Sequence, residues 1–193
     1  NPATKEEIKT PIGKVADLEW AADNKTIFFV TEDEAKRSNR FWRYTLGEAK
    51  PTLLYEENDE LFEIEVGRSR DRDILFLGIA SSRTTEFRFL AADKPTGEWR
   101  VLAPRHNEVK YFPEHRDDLF YVRTNDGAKE FRVVIAPVAN PGVDHWKELV
   151  PGKPGLTIED FQPFADHAVV VERAEGLVGF RIIDYENQSL ARI

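Results

Sequence analysis

Trp42-Arg43-Tyr44, Phe87-Arg88-Phe89, Phe131-Arg132-Val133 and Phe180-Arg181-Ile182 are four versions of one phrase, an aromatic residue and an arginine opening a short apolar run. Their arginines stand 45, 44 and 49 residues apart. A second series keeps step: Ile27-Phe28-Phe29-Val30, Ile74-Leu75-Phe76-Leu77, Leu119-Phe120-Tyr121-Val122 and Ala168-Val169-Val170-Val171 begin 47, 45 and 49 residues apart. Two independent markers on one period define a repeat protein. Strand-like markers recurring in the forties predict propeller blades.

Each repeat reads as four strands separated by turn signals such as Ala22-Asp23-Asn24-Lys25, Lys94-Pro95-Thr96-Gly97 and Asn125-Asp126-Gly127. The segments are short, rich in β-branched and aromatic residues, and bounded by Gly, Pro, Asn or Asp, which excludes helices. Only 33–40 could hold a helical turn. The second strand of each repeat is nearly continuous in apolar residues. A strand with one wet face alternates instead, so these runs predict middle strands covered on both faces by neighbouring blades. The expected fold is all-β, a β-propeller of about four four-stranded blades spanning about 15–57, 61–104, 109–151 and 157–193 after a lead-in at 1–14. The recurrent arginine has two readings. It could point into a channel and meet a ligand carboxylate. A repeat-wide residue more often serves the repeat, and pairing with Glu19, Glu65, Glu114 or Asp160 on the first strands is expected. The neighbouring aromatics are expected in the core, so that Phe87→Ala or Phe131→Ala costs about 3–5 kcal/mol.

The chain has 193 residues, a net charge of −8, no cysteine and no methionine. The acidic balance argues against a nucleic-acid partner, which needs a basic field. Without cysteine there is neither a disulfide framework nor a thiolate metal site. No apolar run reaches the roughly 18 residues of a membrane span, and residues 1–14 are too polar for a signal peptide. The expected compartment is the cytoplasm, although the cysteine count alone does not fix it. The missing methionine suggests a piece of a longer protein.

A search for chemistry finds little. The nucleophile elbow Gly-x-Ser-x-Gly is missing, and Gly78-Ile79-Ala80-Ser81-Ser82 has no glycine after either serine. His106, His115, His145 and His167 have no ligand spacing, and edge or half-buried roles are expected. There is no glycine-rich phosphate loop. The run Glu56-Glu57-Asn58-Asp59-Glu60 lies between two blades and reads as a solvated linker rather than a glycosidase pair. Two sequons, at Asn24 and Asn187, are expected to be chance. No catalytic, cofactor-binding or metal residue is expected in this chain.

Longer stretches carry a resemblance. Leu18-Glu19-Trp20-Ala21-Ala22-Asp23-Asn24-Lys25-Thr26-Ile27-Phe28-Phe29-Val30, continuing at Phe41-Trp42-Arg43-Tyr44-Thr45-Leu46-Gly47, resembles the propeller domain of the oligopeptidase B branch of the prolyl oligopeptidase family. So do Arg68-Ser69-Arg70-Asp71, Pro95-Thr96-Gly97-Glu98, Glu114-His115-Arg116 and Phe120-Tyr121-Val122-Arg123-Thr124-Asn125-Asp126-Gly127-Ala128-Lys129. The resemblance implies a serine peptidase cutting short peptides after basic residues. Its α/β-hydrolase domain carries the Ser, Asp and His, and a seven-bladed propeller covers the site. On that reading the chain holds about four of seven blades and none of the hydrolase domain, so no catalytic residue is carried over. Its expected partners are the absent hydrolase domain and, for the parent, short peptides. The alternatives are a free-standing propeller acting as a binding module and, more remotely, a carboxylate glycosidase. Four blades of seven also leave two apolar faces uncovered, which predicts self-association or closure into a smaller ring.

Overall fold

A computed structural model describes residues 12–186 and, as strand backbone only, 190–192. The sequon at Asn187 and most of the lead-in lie outside the described residues. Four antiparallel sheets follow one another along the chain, each with its strands in chain order. The first holds β1 (Val15–Trp20), β2 (Thr26–Glu32), β3 (Ser38–Thr45) and β4 (Thr52–Glu56). The second holds β5 (Glu63–Arg68), β6 (Ile74–Ala80), β7 (Thr85–Ala91) and β8 (Arg100–Ala103). The third holds β9 (Tyr111–Arg116), β10 (Leu119–Thr124), β11 (Arg132–Pro137) and β12 (Lys147–Val150). The fourth holds β13 (Leu156–Pro163), β14 (His167–Ala174), β15 (Leu177–Asp184) and β16 (Leu190–Arg192). This is the partial propeller that the repeat predicts.

The cores lie between the blades. Phe28, Val30 and Phe41 of the first blade meet Ile64, Val66, Leu75, Leu77, Ile79 and Leu90 of the second. Ile74, Phe76, Phe89 and Leu102 then meet Tyr111, Phe120, Val122 and Val134 of the third. Tyr121, Val133 and Val150 meet Ile158, Phe161, Ala168 and Val170 of the fourth. Successive strand residues face opposite sides, so β6 sends Leu75, Leu77 and Ile79 one way and Ile74 and Phe76 the other. That division explains the unbroken apolar runs. The fourth blade shows the complementary case. Ala168 and Val170 are buried against the third blade while Val169 and Val171 on the other face are only half-buried. Nearby Leu177, Val178 and Phe180 are exposed, Leu177 by 76% and Phe180 by 47%. At the opposite end of the stack Leu18, Trp20 and Leu53 of the first blade are exposed as well.

Several local expectations need correction. The segment at 33–40 is not helical. Asp33 Oδ1 accepts the N–H groups of Ala35 and Arg37, making a tight loop with Lys36 at φ 68°, and β3 begins at Ser38. An unforeseen 3₁₀ turn, Val143–His145, precedes β12. Phe131 does not open its strand: it sits at φ 65° in the loop before Arg132, a conformation costly for a residue with a Cβ. Phe87 and Phe131 are half-buried, and Phe180 is exposed. The fully buried aromatics are instead Phe28, Phe41, Tyr111 and Phe120.

The repeated arginines do not pair with the carboxylates expected on the first strands. Arg88 lies 3.4 Å from Glu86 and stacks 4.3 Å over Tyr55 of the first blade. Arg132 approaches Glu148 at 3.5 Å and Asp126 at 3.8 Å, and buried Arg181 pairs with Glu172. Arg43 Nε is buried with no hydrogen-bond partner among the described residues. The reason is strand order: a third strand borders the second and fourth, while the first lies two spacings away, roughly 9.5 Å.

Candidate functional site

The first strands of neighbouring blades approach one another, β1 beside β5 and β9 beside β13, so they form the inner wall of the arc. That wall is polar and largely acidic. Asp17 and Glu19, Glu63 and Glu65, Glu114, and Glu159 and Asp160 stand on it, each exposed or half-buried. Between the first two blades it opens into a cleft of 520 Å³ lined in part by Asp17, Glu60, Glu63, Glu65, Ser81 and Ser82. Asp17 is committed to the fold, because its Oδ2 accepts the Val66 N–H of the next blade at 3.0 Å.

Two rims bound this wall. On the hairpin rim, the first three turns between first and second strands are each tied to the next blade. Arg68 donates to Trp20 O at 3.1 Å and Arg116 to Ala165 O at 2.6 Å. His115, buried and edge-on to Phe120, donates from Nδ1 to Asp71 Oδ2 at 2.7 Å, and Ser69 Oγ donates to Asp71 Oδ1 at 2.6 Å. Burial pushes the Asp71 carboxyl up, but the bonds from Ser69 and the Asp73 N–H, with the nearby His115, outweigh it and leave it below its ordinary value. Glu114 goes the other way. Burial dominates and raises it, even though Oε2 accepts the N–H groups of Arg70 and His115.

The crossover rim carries the densest polar cluster. Arg105 Nη2 donates to Glu57 Oε2 at 2.7 Å and to the Tyr55 hydroxyl at 3.2 Å, while Nε stands 3.5 Å from Glu86. The guanidinium also covers the Phe62 ring at 4.3 Å. Tyr55 donates to Glu57 at 2.6 Å. Burial and the Glu57 carboxylate push Tyr55 up to about 12. Burial raises Glu57 too, but the bonds from Tyr55 and Arg105 prevail and hold it below the usual glutamate range. One member of the acidic run at 56–60 is therefore a buried clasp between two blades, not a solvated linker residue. Glu56 pairs with Arg40 at 2.9 Å, and Asp59 turns its own loop by accepting the Leu61 N–H.

Ser69 shares the Asp71 carboxylate with His115 but is bound within its own turn, donating to Asp71 Oδ1 and accepting the Ile74 N–H. Ser81 accepts the N–H groups of Arg83 and Thr84, as a turn residue does. His106 and His167 sit beside Asn107 O and Asp166, and His145 lies in the 3₁₀ turn. Among the described residues no group of three or more His, Cys, Asp or Glu side chains could hold a metal. What sequence reasoning missed is the set of ties between blades. For Arg105, Glu57 and Asp71 the partners in the neighbouring blade lie 44 to 48 residues away, so nothing local marked these ties.

Wall, rims and three inter-blade cores define a partial β-propeller. Residues 2–193 match the N-terminal β-propeller domain of prolyl oligopeptidase, and the chain belongs to that family of serine peptidases. It is 36% identical over 177 residues to dipeptidyl aminopeptidase BI of Pseudoxanthomonas mexicana, covering 90% of this chain and 24% of that protein. It superposes on oligopeptidase B from Trypanosoma brucei, in a closed form with covalently bound antipain, with TM-score 0.80 and 30% identity over 91% of this chain and 26% of that one. Oligopeptidase B from Leishmania major gives TM-score 0.82 at 26% identity, over 94% and 28%. The chain thus spans about a quarter of the length of the proteins it resembles.

Proposed function

We propose that this chain is the substrate-gating, non-catalytic portion of the propeller of an oligopeptidase B-like serine peptidase that cleaves short peptides after basic residues. Its partner in the parent is an α/β-hydrolase domain that supplies serine, aspartate and histidine. The work of the blades is steric: a ring over the active site admits short or flexible chains, excludes folded ones and keeps bulk water out. The observations that support this reading are a wall of stacked blades with an acidic inner surface and the family match over residues 2–193. An acidic passage also concentrates cationic chains, in keeping with basic cleavage sites. The test compares this chain with its full-length parent on an arginyl or lysyl amide reporter. The parent turns over and the isolated chain does not. Turnover by the isolated chain that survives repurification overturns the assignment.

A further inference from the structure

We propose that Arg70 is a specificity-determining residue: a bar across the hairpin mouth of the passage that sets how bulky a peptide enters there. This rests on the gating role proposed above. Arg70 lies in the turn between β5 and β6 of the second blade. Its N–H donates to Glu114 Oε2 at 3.1 Å, which seats the turn against the third blade. The guanidinium reaches further. Nη2 donates to Gln162 Oε1 of the fourth blade at 2.7 Å, and Cζ lies 4.5 Å over the Phe164 ring. One side chain thus joins residues 92 apart in sequence and ties the second blade to the fourth, skipping the third.

The other ties described above join adjacent blades, which their cores already hold. A tie that skips a blade adds nothing to either of those interfaces, but it draws a chord across the opening. Its two ends differ in rigidity. Gln162 is fixed by donating Nε2 to Asp160 at 2.8 Å, and Phe164 is stacked flat on His167 with centroids 4.8 Å apart. Arg70 itself is exposed, its acceptor is a neutral amide, and its long side chain is free to swing once released. The arm is therefore held firmly enough to occupy the mouth and loosely enough to be displaced by an entering chain. A short peptide passes beside the arm, whereas a longer and bulkier chain passes only while the arm is swung away.

The experiment uses the full-length parent with Arg70→Ala and Gln162→Ala, and a peptide series that carries one basic cleavage site in chains of increasing length. A short amide reporter serves as reference, and melting temperatures are recorded. If the bar is open about a tenth of the time, removing it raises kcat/KM for the long peptides about tenfold in both variants. The short reporter then stays within about twofold and the melting temperature holds, because an exposed tie carries little stability. Uniform loss on all substrates with a lowered melting temperature would make the residue structural and overturn the proposal. Length discrimination in the wild type that neither variant alters overturns the bar alone. A wild type with no length discrimination removes the gating reading as well.

Discussion

Replacing Phe120 by alanine takes out a ring with no exposed surface, set between the second and third blades. Its neighbours are Phe89 at 4.8 Å, the His115 ring at 5.6 Å and Phe76 at 5.9 Å between centroids. Two of those belong to the second blade, so the contact is one that stacking creates and a lone sheet lacks. The lost transfer energy follows the buried apolar area at about 25 cal/mol per Å². The aromatic pairs add about 0.5–1.5 kcal/mol each. Blades tied by hydrogen bonds along both rims cannot close the gap, so a cavity term is added and the total reaches about 3–5 kcal/mol. Phe87→Ala is the control. Phe87 belongs to the same aromatic cluster but is half-buried, and about 1–2 kcal/mol is expected from its smaller buried area. Urea unfolding read by tryptophan fluorescence measures both, provided the m-value is unchanged. Equal costs, or a Phe120 cost below about 1 kcal/mol, would mean that the blades do not stack as described.

Glu57 and Glu114 should respond to acid with opposite signs. The folded value of Glu57 lies below its ordinary 4.5, so its stabilisation is complete above that pH and fades as pH falls through the lower folded value. The folded value of Glu114 lies above 4.5, so its contribution is complete below that pH and is lost as pH rises through the raised value. Glu57→Gln therefore destabilises at neutral pH and flattens acid unfolding, while Glu114→Gln stabilises at neutral pH; melting scans between pH 3 and 7 read both, and the same sign for the two would refute the assignment. A Cβ at Gly152 would lie 2.8 Å from both Phe131 O and Ala128 Cβ, so Gly152→Ala costs about 1–3 kcal/mol, whereas Gly142→Ala, with nothing within 4 Å, stays within about 0.5 kcal/mol in the same unfolding assay. From the exposed apolar residues Leu177, Val178 and Phe180 we predict that the isolated chain self-associates, and that Leu177→Ser with Phe180→Ser weakens that association in light scattering. A monodisperse monomer whose scattering fits an open arc contradicts this.

The repeat was legible because burial on two faces writes itself locally: Leu75, Phe76 and Leu77 in a row require two neighbours, and both are there. The same rule misled at Phe180. Its phrase matches the other three, yet no described blade covers the face it occupies, and the ring is exposed there. Phe131 misled differently, because the seven residues between β10 and β11 leave it in the loop rather than at the strand edge. The polar ties were out of reach altogether. Nothing around Arg70 points to Gln162, and nothing near Glu57 distinguishes it from the solvated carboxylates beside it; both identities come from folding the chain back blade upon blade.

The claim that the blades confine substrate while the chemistry resides elsewhere is tested most directly with a fluorophosphonate, which labels an activated serine. Applied to the active full-length parent, it should modify one serine, and peptide mapping should place that serine outside residues 1–193. Stoichiometric label on Ser81, Ser82 or any other serine of this chain, with loss of activity in step, would contradict the account.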